Sequence, residues 1–182
     1  MPVENFVKKN HFKVVIGGEG GVGKTTFSKR LTGKLEADEI LEMTPGVDFH
    51  SLKIKKNIIS LQLWDCGGQE QFRYFISDFF GGVSVTILIF AVDSYKTFKG
   101  LEKWLNIMPK EAHKSVFLIG NKIDVVDRSV KMEEAMKYAE DHNFKGYYEI
   151  SALNNVGIDE FELDLVSTIE KMFIERKKKD KE

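Results

Sequence analysis

Short apolar runs, mostly β-branched, alternate along this chain with longer stretches whose apolar residues recur every three or four positions. Runs of four to eight such residues fit strands, whereas the longer spacing fits helices that pack through one stripe. The runs predict strands over 12–17, 47–55, 58–64, 83–92, 116–120 and 147–150. The helical spacing predicts helices over 24–35, 71–79, 96–108, 131–141 and 158–177, with Phe161, Leu165, Ile169 and Phe173 marking the core stripe of the last. Lys56-Asn57 reads as a tight hairpin between the second and third strands, which makes one antiparallel edge. The rest of the alternation is that of parallel strands joined by helices. The expected fold class is therefore α/β: three layers built on a mostly parallel six-stranded sheet with one antiparallel edge strand and about five helices.

The 182 residues show no repeat, linker or break in composition before a terminal charge run, so one domain is expected. Residues 1–10 read as an N-terminal extension, 11–176 as the folded domain and 177–182 as a charged tail. A net charge of -1 leaves no field that would draw the chain onto nucleic acid. The single cysteine, Cys66, excludes an intrachain disulfide and a cysteine-rich zinc site, and points to an intracellular, cytoplasmic protein. The start lacks the basic and apolar regions of a signal peptide, and the longest apolar stretch, 83–92, is half a membrane span. His11, His50, His113 and His142 show no ligand spacing.

Chemistry enters at Gly18-Glu19-Gly20-Gly21-Val22-Gly23-Lys24-Thr25-Thr26, a phosphate-loop pattern lying between a strand and a helix. Its glycines let successive N–H groups converge on phosphate oxygens at the start of the helix. Lys24 supplies a charge for the β- and γ-phosphates, and the Thr25 hydroxyl suits a magnesium ion. Asn121-Lys122-Ile123-Asp124 follows the strand over 116–120, where open α/β sheets bind ligands. A carboxylate at Asp124 accepts from both N1–H and the exocyclic amine of guanine, which adenine cannot answer. Ser151-Ala152-Leu153, after the strand over 147–150, can offer a backbone N–H to the guanine carbonyl oxygen.

With these motifs in this order, the chain resembles the Ras superfamily, and within it the Rab-like branch, from about Phe12 to Phe173. Thr44-Pro45-Gly46-Val47-Asp48-Phe49 resembles the first switch and second strand of Rab-like proteins. Trp64-Asp65-Cys66-Gly67-Gly68-Gln69-Glu70 resembles their second switch, with a glycine pair also seen in Arf-like relatives. The resemblance implies a small GTPase G domain that binds GTP or GDP with Mg2+ and hydrolyses GTP slowly. It implies that Thr44 closes over the magnesium and γ-phosphate, that Asp65 holds the metal through water, and that Gly68 donates its amide to the γ-phosphate. Gln69 would orient the attacking water. Effectors would bind through the switches at about 36–49 and 65–79, with exchange factors and GTPase-activating proteins as further partners and signalling or vesicle trafficking as the setting.

No arginine stands where the family reaches the γ-phosphate, which leaves room for an arginine finger from a partner beside Gly20. No aromatic residue lies between Phe27 and Phe49, so base stacking is expected to be weaker than in relatives and exchange faster. Pro45 restricts Thr44 to extended conformations. The terminal Lys179-Asp180-Lys181-Glu182 and Pro2 carry no lipidation signal, so membrane contact would come through a partner or weakly through the basic tail. Two other readings are a nucleotide-binding interaction module without meaningful hydrolysis and a phosphate-loop kinase. The second would need an acceptor site and a basic lid that the chain lacks.

Overall fold

The computed structural model describes residues 10–35, 44–68 and 73–180. Six strands form one sheet in the order β2-β3-β1-β4-β5-β6. They are β1 (His11–Gly17), β2 (Val47–Ile54), β3 (Ile59–Cys66), β4 (Val83–Ala91), β5 (Val116–Asn121) and β6 (Gly146–Ile150). Every ladder is parallel except β2–β3, which runs antiparallel from Val47 opposite Cys66 to Ile54 opposite Ile59. The hairpin between them turns at Lys56-Asn57 as expected. Ile58 N–H bonds the Lys55 carbonyl at 3.1 Å, and both central residues have the positive φ of a type I′ turn.

Six α-helices are found among the described residues: α1 (Lys24–Leu31), α2 (Arg73–Phe79), α3 (Tyr95–Lys99), α4 (Leu101–Ile107), α5 (Met132–Asp141) and α6 (Ile158–Lys179). Two of the expected helices differ from expectation by more than a residue or two at their ends. The helix expected over 96–108 is two helices interrupted at Gly100, and a 3-10 helix, Lys110–Ser115, follows that no apolar period had announced. The helix expected over 24–35 stops at Leu31, because Gly33 adopts φ 66° and closes a Schellman turn. Gly33 N–H bonds the Arg30 carbonyl at 3.0 Å and Lys34 N–H bonds the Lys29 carbonyl at 2.8 Å. Gly33→Ala is expected to lower stability by about 1 kcal/mol through left-handed strain, with Gly33→Asn losing less. Urea midpoints at one fixed nucleotide concentration would check this.

Side chains of β1 alternate between two cores. Phe12, Val14 and Ile16 face Phe27 and Leu31 of α1 and Phe161, Leu165, Ile169 and Phe173 of α6. Val15 faces the other layer, with Ile76, Leu101, Trp104 and Ala135 from α2, α4 and α5. The expected stripe of α6 is thus the core stripe, and the Phe161 ring meets Phe27 at 5.5 Å and Phe117 at 5.6 Å between centroids. β1, with β3 on one side and β4 on the other, ends where the phosphate loop begins. The carboxyl ends of β1, β3, β5 and β6 therefore open onto one rim, the place where such sheets bind ligands.

Candidate functional site

A cleft of about 330 Å³ lies on that rim. Gly20, Gly21, Gly23, Lys24, Thr25 and Thr26 line one end, Asn121, Lys122, Asp124, Ala152 and Leu153 the other, and Thr44, Gly67 and Gly68 its outer wall. Gly23 turns the loop into α1 with φ 92°, and a Cβ there would stand 2.4 Å from the Asn121 amide nitrogen. Close approach of the two loops thus requires this glycine. Lys24 is buried and curls back over the loop, donating from Nζ to the carbonyls of Gly18 at 2.8 Å and Glu19 at 2.9 Å.

Beside it, three oxygens converge from three segments. Thr25 Oγ1 donates to Asp65 Oδ2 at 2.6 Å and lies 2.8 Å from Thr44 Oγ1. A hydroxyl has one proton, so Thr44 is the donor in the second bond. Asp65 is fully buried, and its Oδ1 has no hydrogen-bond partner among the described residues. Burial pushes its carboxyl above the usual carboxylate range, while the Thr25 hydrogen bond and the Lys24 charge act in the opposite sense.

At the far end, Asn121 works as a brace. Its Nδ2 donates to the Val22 carbonyl at 2.8 Å and its Oδ1 accepts from the Ala152 N–H at 3.0 Å, which ties the phosphate loop to the loop after β6. Arg30 of α1 secures the same loop, donating to the carbonyls of Ala152 at 3.2 Å and Leu153 at 2.7 Å. The Ser151 hydroxyl donates to Asp124 Oδ1 and accepts from the Asn154 N–H at 3.1 Å, which fixes the carboxylate toward the cleft.

Most of the residues expected at the site are brought together here. The Val22 side chain packs in the core while its backbone stays in the loop, and Ser151 lies buried behind Asp124. Gln69 falls outside the described residues, as do the expected switch positions 36–43 and 70–72. Arg30 and Gly67 were not expected. Arg30 carried no signal beyond its place six residues after Lys24, and Gly67 stood only as one of a glycine pair shared with Arf-like relatives. Cys66 is buried, and burial with the nearby Asp65 charge pushes its thiol up to about 12, so it stays neutral and unreactive near neutral pH. Among the described residues, no group of three or more His, Cys, Asp or Glu could hold a metal. Nor is any helix there long and apolar enough to cross a membrane.

The sequence pattern of the Ras family matches residues 13–171. The chain is 36% identical to the human Ras-related protein Rab-9A over 154 residues, which covers 80% of this chain and 76% of that protein. It is 34% identical to mouse Ras-related protein Rab-12 over 162 residues, 86% of this chain and 66% of the relative. Ras-related protein Rab-11C of Dictyostelium discoideum is also 34% identical, over 82% of this chain and 68% of its own length.

Proposed function

The chain belongs to the Ras family of small GTPases, on its Rab-like side, and from that premise we propose which of its residues carry the cycle. As a member it is a molecular switch that binds GTP and GDP with Mg2+, hydrolyses GTP, and works with effectors, exchange factors and GTPase-activating proteins. We take 11–176 as the G domain. One observation carries the site assignment: a single cleft has the phosphate loop at one end and the braced Asp124 at the other.

Lys24 and the loop amides of Gly20, Gly21, Val22, Gly23, Thr25 and Thr26 hold the phosphates. Asp124 reads the guanine edge, Lys122 covers the ring, and the Ser151-Ala152-Leu153 loop closes the base pocket. The oxygens of Thr25, Thr44 and Asp65 suit a hard cation that keeps some of its waters, and the orphaned, buried Asp65 Oδ1 fits a water on such an ion. Bound there, Mg2+ supplies positive charge against the β- and γ-phosphates. Gly68 is pressed against the loop, where a Cβ would stand 2.3 Å from the Gly20 nitrogen, and its amide is the donor we assign to the terminal phosphate. Gln69 orients the attacking water, and no protein nucleophile is needed. Without an arginine at the terminal phosphate the unaided rate is slow.

Loss of the γ-phosphate removes the anchor of Thr44 and Gly68, so the surface they hold changes with the nucleotide. That surface carries aromatic rings. Phe49 is 59% exposed and meets Trp64 edge to face at 4.7 Å, and Trp64 meets Phe79 at 5.8 Å. An exposed aromatic group beside both switches is the part of the molecule that an effector would cover. We place the protein in the cytoplasm, reaching membranes through such partners.

Single-turnover phosphate release from protein loaded with GTP and Mg2+ tests the reading, beside ATP and a Gln69→Leu variant. Release with GTP alone, at least about tenfold slower in the variant, is expected. Release that Gln69→Leu leaves untouched would remove Gln69 from its assigned role.

A further inference from the structure

A second cleft, of about 610 Å³, lies at the amino ends of three parallel strands, on the edge of the sheet opposite the nucleotide site. Val83 and Ser84 open β4, Phe117 is the second residue of β5, and Lys145 stands just before β6. The second half of α6 lines the same space and brings three cations to it, Lys171, Arg176 and Lys179. Lys114, from the 3-10 helix, and Lys145 complete a group of five. The acids of the lining are Glu111, Asp164 and Glu175. Five cations against three acids make the cleft positive, in a chain whose net charge is -1.

The cations are not spent on those acids. Among the described residues, no carboxylate pairs with any of the four lysines or with Arg176. Asp164 instead accepts from the Tyr148 hydroxyl. Arg176 donates to the His11 carbonyl at 3.1 Å and to Ser84 Oγ at 3.3 Å, and its guanidinium lies 4.1 Å from the centre of the Phe12 ring. Two of its five N–H groups are thereby used, and burial pushes its pKa below the usual arginine value. Ser84 Oγ is an acceptor in that contact, so its own proton is left to give.

A second hydroxyl on the lining is also unspent. Ser115 is 3% exposed, and its Oγ has no hydrogen-bond partner among the described residues. A buried hydroxyl left in that state costs stability, which an acceptor oxygen brought by a ligand would return. Lys145 N–H donates to the Val116 carbonyl at 2.7 Å, which holds the Lys145 backbone beside Ser115. One carboxylate cannot reach cations that come from three separate elements. Phosphate groups can, since each offers several acceptor oxygens and more than one negative charge.

We propose that this cleft binds a small anion carrying two or more phosphate groups, free in solution or as the headgroup of a lipid, through Lys114, Lys145, Lys171, Arg176 and the hydroxyls of Ser84 and Ser115. The site is separate from the nucleotide cleft and does not depend on the residue roles assigned there.

The test uses the full chain loaded with GDP and Mg2+, which fills the phosphate loop, at near-physiological salt. Inositol trisphosphate is titrated into it by calorimetry. Phosphatidylcholine vesicles with and without phosphatidylinositol bisphosphate are sedimented with it in parallel. Binding of the trisphosphate is expected to weaken at least about tenfold in Lys145→Ala/Lys171→Ala. Both side chains are exposed, so the fold should tolerate their loss. Lys137→Ala/Lys178→Ala removes the same charge from exposed positions outside the cleft and should bind as the parent does. Ser115→Ala is expected to keep or raise the thermal midpoint without ligand and to shrink the rise that the trisphosphate gives.

Binding of the free trisphosphate together with the bisphosphate vesicles supports the site with a lipid headgroup as its source. Binding of the free compound alone supports it with a soluble one. No binding of the trisphosphate up to about 1 mM overturns the proposal, even where vesicles sediment with the protein. So does binding that the two double variants weaken alike, which is attraction to the whole surface, or a rise in Ser115→Ala as large as the parent's.

Discussion

An Asp124→Asn variant is expected to lose about two to three orders of magnitude in GTP affinity and to gain affinity for xanthosine triphosphate. The Ser151 hydroxyl decides how the new side chain would sit. It donates to Asp124 Oδ1, and because its own oxygen accepts from the Asn154 N–H at 3.1 Å its proton stays aimed at position 124. Only the carbonyl oxygen of an asparagine can receive that proton, so the NH2 group turns toward the base. Guanine then presents its exocyclic amine to a donor, whereas xanthine presents a carbonyl oxygen to it. Displacement of a fluorescent nucleotide by GDP and by xanthosine diphosphate would measure the exchange. A variant that still prefers GDP as strongly as the parent would show that Asp124 does not read the base.

Lys24→Ala is expected to abolish nucleotide retention, with affinity lower by about three orders of magnitude or more. The ammonium does two jobs from one buried position. It bridges the Gly18 and Glu19 carbonyls, and it supplies the charge that phosphate oxygens need. Its loss leaves two inward-facing carbonyls without their donor and the phosphates without their nearest cation. Bound GTP or GDP also stabilises the fold by mass action, so the variant should melt lower and show little rise when GTP is added. Chromatography of nucleotide released from the purified protein, beside thermal melts with and without GTP, checks both points. Stoichiometric nucleotide in the variant would contradict the role given to Lys24.

What could be read from the chain and what could not divide along a physical line. The phosphate loop, Asn121 to Asp124 and the loop from Ser151 are local strings whose chemistry is complete within a few residues, and all three lie on the rim where strand ends place them. The strands were legible because burial on both faces leaves unbroken apolar runs, as in β4 and β5. Helix ends were less legible, since α1 stops at Leu31 on the turn that Gly33 makes while its apolar pattern continues toward Leu35. Bracing was not legible at all. Asn121 gives both ends of its amide to backbone groups at Val22 and Ala152, and Arg30 reaches Leu153. No spacing within one motif reports a partner so distant in the chain.

The Asn121 and Arg30 braces also set when the protein becomes competent. The Asn121–Val22 bond spans 99 positions and the Arg30–Ala152 bond spans 122. On the ribosome, the phosphate loop emerges on the order of ten seconds before the residues that brace it, at ordinary rates of synthesis. Over that interval β1 has no β4 on one flank and then no completed base pocket, and long-range parallel pairing is the slow kind of folding. Nucleotide capture is therefore a late event in the life of each nascent chain, and a ribosome stalled before residue 152 holds a polypeptide with its phosphate loop made and no base pocket.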